Sequence, residues 1–439
     1  MSRSRVVRSS SNVNLWRTPL LLSLASVALF GVTMIPDVLD AYGVIHIPVW
    51  ITMGGIDDAR AILSAMLGSV STVLALIFSV ALLVLSMVAT LFGPRLLYRF
   101  MQDWVTQVTI GLFMGTFIYL CLCFLVTHQD AHSHFIPQVS LITSWLLVVA
   151  SFWFLVVYSH RIASSIQNPD LVARIVDDLL PEVMKSQAPD PGGKRAETLT
   201  PEAIEARIAD GASITWPVSG YVQEMDHGAL VSAAERAGAV VHILRRPGQF
   251  VLRGEALACV WPAVRAEALH DSIDRHIKVG RHRTLTQDVE FGVAQVVEIA
   301  LRALSPAVND TFTGVACVDW IGDALLIVAD AARPDGCWYD AAGELRLHVR
   351  PLRVERLARM AFDQIRQASA DNPAVLIRIL DTMRRIAPRM HEVERHVLRA
   401  HADAIREAAA AKVVVTLDRD DVEAAWQRAR PAFDPPTAA

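Results

Sequence analysis

Four apolar stretches crowd the first 162 residues of the 439-residue chain, each long enough to cross a hydrocarbon core as a helix, which takes about 20 residues. They are expected at about 16–36, 62–91, 105–127 and 136–159, the second long enough to tilt or to project beyond the bilayer. All but 14 of the 86 charged residues lie beyond residue 162. That remainder has the charge density of an ordinary soluble domain, whereas the front third holds 8 Arg, no Lys and 6 acidic residues. The mean hydropathy of +0.36 therefore averages a membrane domain, 1–162, and a globular one.

The arginines alternate between the connecting loops. Arg3, Arg5, Arg8 and Arg17 sit in or beside the N-terminal tail, Arg95 and Arg99 lie between the second and third spans, and Arg161 follows the fourth. The other two loops offer only Arg60. By the positive-inside bias both termini are expected in the cytoplasm, with Trp104, Trp145 and Tyr158 as interfacial anchors. A cleaved signal peptide would need a small-x-small site before Asp37, and none is convincing.

The interiors of the expected spans carry no Lys, Arg, Asp or Glu, which counts against a pump or proton-coupled carrier. A channel with an apolar or hydroxyl-lined pore stays open. Span two supplies Ser64, Gly68, Ser69, Ser71, Thr72, Ser79 and Ser86, several at helical spacing, and span three has Gly111 and Gly115 four apart. Small residues at this spacing let helices approach closely, so tight packing and pore lining are the two readings of Ser64, Gly68, Thr72, Ser79, Gly111 and Gly115. The loop His128-Gln129-Asp130-Ala131-His132-Ser133-His134 could offer metal ligands, but its alternate spacing fits no standard zinc pattern and a solvated turn is the simpler reading.

Past the spans, Asp170–Leu180 has the spacing of a short amphipathic helix, and Ala188–Lys194 is a Pro/Gly linker within a helix-and-linker segment, 163–212. Short β-type runs broken by glycines fill 213–262: Ile214–Val222, Val240–Leu244, Phe250–Leu252 and Ala256–Val260, with a helical run at Leu230–Ala237. They suggest a small β-barrel or sandwich-like module. No Lys lies between Lys194 and Lys278, so this module carries no lysine-attached prosthetic group.

The segment 263–430 is expected to be mainly helical, with helices near 287–304, 312–329, 352–368, 374–386 and 389–411, a strand at Glu344–Val349, and a flexible tail at 431–439. The fold class expected is thus a four-helix membrane domain followed by a cytoplasmic α+β region.

The densest polar group beyond the spans is Arg302, Ser305, Asn309 and Asp310. One reading is a small site in which Arg302 binds an anion and Asp310 acts as base. The other is that Ser305, Asn309 and Asp310 end one helix and begin the next by bonding exposed backbone groups. Arg302 is also four residues from Glu298, the spacing of a surface ion pair. Arg281-His282-Arg283 could meet anionic lipid or a phosphate ligand, and a solvated surface is the simpler reading. No hydrolase elbow, P-loop, zincin pair or kinase signature occurs. The formal net charge of −4 without a basic run argues against a nucleic-acid partner. The five cysteines lack metal-type pairing, and no cofactor or metal is expected.

Several segments resemble a family of predicted bacterial membrane proteins known as a domain of unknown function. They are Phe78-Ser79, Phe92-Gly93-Pro94-Arg95-Leu96-Leu97, Gly111–Tyr119, Ser219-Gly220-Tyr221-Val222-Gln223, Arg245-Arg246-Pro247-Gly248 and Ile299–Gly314, the last containing Arg-Ala-Leu-Ser-Pro-Ala-Val-Asn-Asp. Together they run in order through most of 15–400. Gly93, Thr311 and Gly314 depart from the Ser, Pro and Ala of the family pattern. The resemblance implies a bacterial inner-membrane topology and no reaction, ligand or catalytic residue. The leading functional expectation is a homo-oligomeric channel-like or transport-associated component in contact with membrane lipid, with a cytoplasmic regulatory domain. The alternative is a membrane-anchored sensor or scaffold that binds a partner or small ligand, and an enzyme is the weakest of the three readings.

Overall fold

The apolar stretches are helices, and they run past the limits set by their hydropathy. The computed structural model describes residues 16–45, 55–92, 104–129, 136–166, 170–179, 181, 201–330 and 336–434. Two compact units divide the chain, residues 11–168 and residues 169–439. The first holds α1 (Arg17–Ala41), α2 (Ile56–Phe92), α3 (Trp104–Gln129) and α4 (Gln138–Ile166). Central in this unit is α3, which packs against the other three and fully buries Phe113, Tyr119, Leu120 and Cys123.

One narrow stripe of α2 faces this centre. Ala59, Leu63, Val70, Ile77 and Val84 are buried, and from Leu63 onward they recur every seventh residue, as a helix seam requires. Its N-terminal end starts earlier than expected because Arg60 is held inside the fold: Nη2 donates to the Thr127 carbonyl at 2.6 Å and Nε at 3.1 Å. That contact satisfies a carbonyl in the last turn of α3, which has no partner within its own helix.

In the second unit, α5 (Asp170–Asp177) and α6 (Pro201–Ala209) precede a mixed region of strands and helices. The strands are β1 (Ala212–Thr215), β2 (Gly220–Met225), β3 (Val240–Ile243), β4 (Phe250–Val251), β5 (Ala256–Trp261), β6 (Ile277–Gly280), β7 (Cys337–Tyr339) and β8 (Leu345–Val349). They pair as a five-stranded sheet, β1-β5-β3-β8-β7, and a three-stranded sheet, β4-β2-β6. The compact module expected over 213–262 thus takes a different form: β6, β7 and β8 come from beyond it, and each sheet is an open row of strands. The parallel β3–β8 pair needs a crossover connection, and long-range pairing of this kind leaves no local signal.

The helix α7 (His227–Ala237) is fixed at both ends. Asp226 accepts from the Ala229 N–H at 3.0 Å, and Gly238 closes the other end with φ 60°, a left-handed conformation suited to glycine. With α8 (Ala266–His276) it covers a core of Val222, Met225, Leu230, Val241, Ile243, Leu257, Ile273 and Leu347.

The remainder is helical: α9 (Val289–Ala303), α10 (Thr311–Asp330), α11 (Val354–Ala368), α12 (Pro373–Ile386), α13 (Glu392–Lys412) and α14 (Thr416–Phe433). Among the described residues five helices are long and apolar enough to cross a membrane, α1 to α4 and α10. Within its unit α10 packs against α9 and α12 and buries Cys317, Val318, Ile321, Leu325 and Val328. A helix enclosed in a domain core can be apolar around much of its circumference. The flexible tail expected from 431 is corrected in part, since α14 continues through Pro431 to a buried Phe433.

Candidate functional site

Arg302, Ser305, Asn309 and Asp310 lie together at the corner between α9 and α10. The Ser305 hydroxyl donates to the Arg302 carbonyl at 2.7 Å, and Arg302 Nη2 meets Glu298 at 3.3 Å. Asn309 carries φ 50°, and around it the Asn309 N–H donates to the Ser305 carbonyl and the Asp310 N–H to the Ala303 carbonyl. Asp310 then accepts from the Thr313 N–H at 3.0 Å and from the Thr313 hydroxyl at 2.6 Å. Those bonds hold its carboxyl below the usual carboxylate range. The contacts of Ser305, Asn309 and Asp310 end one helix and start the next, so the local geometry is that of a capped corner.

A second polar region gathers where the Arg245–Gly248 turn meets the start of α9. Arg283 binds Asp288 through Nε and Nη2, both at 2.8 Å, and lies 5.2 Å over the Phe291 ring. It therefore belongs to a packed ion pair rather than to a solvated or lipid-facing run. Glu290, buried, is held by Arg246 and by Arg356 Nε at 3.0 Å. At Gly248, φ is 88° and a Cβ would fall on the Asp288 carboxylate, so only glycine fits that turn. Beside these pairs a small cleft is lined by His227, Trp338, Arg246, Gln287, Asp288 and Arg350. His227 stacks on Trp338 with ring centroids 4.4 Å apart, and burial pushes its imidazole down to about 4, with Asp226 opposing. In the nearby sheet, burial first, then His348 and Arg207, push His242 down to about 4 as well.

The candidate residues of the helical unit separate into two groups. Gly111 and Gly115 lie where α3 crosses α1: a Cβ at Gly111 would come within 2.9 Å of the Pro19 Cα, and one at Gly115 within 3.1 Å of the Leu22 carbonyl oxygen. Their absent side chains permit that approach. Ser64, Gly68, Thr72 and Ser79 lie on the opposite side of α2 from its buried stripe and are exposed, as are Ser71 and Ser86. Thr72 returns its hydroxyl hydrogen bond to the Gly68 carbonyl at 2.8 Å, and Ser69 to Met66 at 2.9 Å.

Sequence reasoning placed Asp37 at a span boundary, and the structure corrects this. Asp37 lies inside α1, 2% exposed, and accepts from the N–H groups of Val139 and Ser140 and from the Ser140 hydroxyl. Thr33 bridges Ser140 at 3.3 Å and the Tyr119 hydroxyl at 2.6 Å. Farther along, Ser151 meets Thr116 at 2.9 Å. Thr109, Thr116, Ser140, Ser144 and Ser151 are all fully buried, while Leu21 is 63% exposed and Trp153 70%. Fully buried hydroxyls on α3 and α4 beside widely exposed large apolar side chains depart from the pattern of a water-soluble bundle and match a protein whose solvent is lipid.

A family model described as "Predicted membrane protein (DUF2254)" matches residues 12–385. The chain belongs to this family. Among similar proteins are Uncharacterized protein Rv1290c of Mycobacterium tuberculosis and Uncharacterized protein Mb1321c of Mycobacterium bovis. Each is 29% identical over 354 residues, covering 77% of this chain and 66% of the relative. The chain thus spans just under two thirds of the length of these curated relatives. No solved structure matches it.

In this DUF2254 protein the Arg245–Gly248 and Ser219–Gln223 motifs have a structural account. Gly248 admits Asp288, and Gly220 lets β2 approach Val279 and Gly280 closely. The Asp37 network had one sequence signal, an acidic residue at the edge of an apolar run. The partners Ser140 and Tyr119 gave none. The His128–His134 metal reading falls outside the described residues apart from the backbone of 128–129. Among the described residues no group of three or more His, Cys, Asp or Glu side chains could hold a metal ion.

Proposed function

We propose that this DUF2254 protein is an inner-membrane component of four spans with both termini in the cytoplasm, assembled as a homo-oligomer and acting as a channel-like or transport-associated element. The remaining residues, 169–439, form its cytoplasmic regulatory part. The observation that carries this reading is the outward face of α2. Six hydroxyl or glycine positions, Ser64, Gly68, Ser71, Thr72, Ser79 and Ser86, share about a third of the helix circumference and are exposed in the single chain. Small residues are the usual contact surface between membrane helices. Four helices are few to enclose a path, so a conduit formed along this face requires neighbouring copies. The hydroxyls that bond back to their own helix tolerate lipid, and they equally tolerate a narrow, weakly polar lumen.

Purified protein reconstituted in vesicles tests this reading. Oligomers in detergent together with ion or solute flux that changes on Thr72→Leu support it; a monomer that passes nothing contradicts it.

A second reading, a membrane-anchored sensor, is favoured by the cleft lined by His227, Trp338, Arg246 and Arg350. Its mixed aromatic and guanidinium lining suits a small anionic ligand. Screening the intact protein for thermal stabilisation by small anions, with Arg350→Ala as the control, separates this reading from the first.

A further inference from the structure

The five-stranded sheet carries a row of metal-ligating side chains that the proposed function does not use. Cys259 on β5, His242 on β3, His348 on β8 and Cys337 on β7 are paired in register. Residues directly opposite one another on neighbouring strands project from the same face, so the four stand in one line. All are buried, with His242 and Cys259 at 0% exposure. The helix α6 closes over this part of the sheet: Ile204 and Ile208 pack with Val240, Cys337, Leu345 and Trp261, and Arg207 lies 4.9 Å over the Trp261 ring.

At the centre of the row, the His242 and His348 rings have centroids 5.6 Å apart with planes inclined at 59°. Neither Nδ1 nor Nε2 of His242 has a hydrogen-bond partner. A neutral imidazole offers one donor and one acceptor, and each left unmet in a core costs about 1–3 kcal/mol. Such a defect in a native fold calls for an explanation, and a bound ion is one of them.

We propose that His242 and His348 form a seat for one monovalent d10 metal ion of the Cu+ class, held between the two imidazoles. Metal–imidazole bonds are about 2.0 Å and each ring nitrogen lies about 1.1 Å from its ring centre, so an ion held in line sets the centroids about 6.2 Å apart, and loading requires the two rings to part by less than about 1 Å from their 5.6 Å separation. Zinc sites use three or four protein ligands, and no cluster of three is present among the described residues. The Cys259 thiol donates to the Ile208 carbonyl at 3.3 Å and is directed to α6 rather than to the rings. A soft monovalent ion accepts two nitrogen donors and loses less on burial than a divalent one.

The test uses the intact protein in detergent, titrated anaerobically with Cu+ against the chromophoric chelator bathocuproine disulfonate, followed by X-ray absorption of the loaded sample. One Cu+ per chain with two nitrogen neighbours in line is expected. Affinity should fall by at least about 100-fold in His242→Phe and His348→Phe, the upper end of what loss of a supporting group around a metal costs. Cys259→Ser should bind as the parent does. Absence of Cu+ binding, sulfur neighbours in place of nitrogen, or undiminished affinity in a folded His242→Phe overturns the proposal. Where that variant fails to fold, the absorption spectrum of the parent decides alone.

Discussion

The carboxylate of Asp37 and the hydroxyl of Ser140, 103 positions apart in the chain, meet at 2.7 Å. The same carboxylate accepts the backbone N–H groups of Val139 and Ser140 at 2.8 and 3.0 Å. Those are first-turn donors of α4 that no residue of that helix can satisfy. An acidic side chain from α1 therefore caps α4, and the positive end of the helix dipole favours it there.

Removing that carboxylate leaves two backbone donors and a hydroxyl unmet where lipid offers no substitute. Asp37→Ala should destabilise the helical unit by about 2–4 kcal/mol, read as a lowered midpoint in SDS unfolding from mild detergent. Asp37→Asn retains one acceptor oxygen and should lose less. Equal, small losses in both variants would show that α4 is held by other contacts.

The glycines make a sharper contrast. Gly111→Ala forces a methyl against the Pro19 backbone and should cost about 1–3 kcal/mol, as overpacking does. Gly68→Ala meets nothing within 4 Å, so it should hold the unfolding midpoint of the monomer or raise it by the equivalent of up to about 1 kcal/mol, while altering assembly. The same midpoint for both variants would contradict the placement of α3 against α1.

At the α9–α10 corner, capping and catalysis predict different things. Asp310→Ala should lower the thermal midpoint by the equivalent of about 0.5–2 kcal/mol, with Asp310→Ser recovering most of it. Asn309→Gly should be neutral or slightly stabilising, because φ 50° suits glycine. Loss of function in Asp310→Ser at unchanged stability would instead mark Asp310 as a chemical group.

Much of this architecture follows from local pattern. The spans read as helices because apolar runs of their length have few alternatives, and the 3.6-residue period of Val293, Val296, Val297 and Ala300 defined the buried face of α9. What stayed hidden depends on distant partners. Asp37 looked like a span boundary because hydropathy cannot register that Ser140 will arrive to bond it. Alternation marked β8 as a strand, but β6 and β7 are only four and three residues long, and the β2–β6 and parallel β3–β8 pairings join segments far apart in the chain, so no local signal announced the two sheets. The helix α14 escaped notice because its buried positions, Val422, Ala425, Trp426, Ala429 and Phe433, are interspersed with charges and small residues. The small-residue stripe of α2 was legible, and its outward direction was not, since direction depends on where α3 lies.

Acid should weaken the second unit in a defined window. Burial holds the folded His227 imidazole at about 4 against an ordinary value of about 6.5. The unfolded chain then binds the extra proton first, so stability is full above about pH 6.5 and is lost as pH falls toward 4, by up to about 3 kcal/mol from this group. His227→Phe keeps the stack on Trp338 and should flatten part of that slope in thermal midpoints taken between pH 7.5 and 4.5. An unchanged slope would mean that His227 does not carry the effect.

Oxidative cross-linking of single cysteines along α2, in a background lacking the five native thiols, tests the central claim most directly. Membranes carrying Ser64→Cys, Ser71→Cys, Thr72→Cys or Ser79→Cys should yield covalent dimers, while Leu63→Cys, Val70→Cys and Ile77→Cys on the buried stripe should not. Dimers at both sets alike, or at neither, would contradict assembly through the outward face of α2.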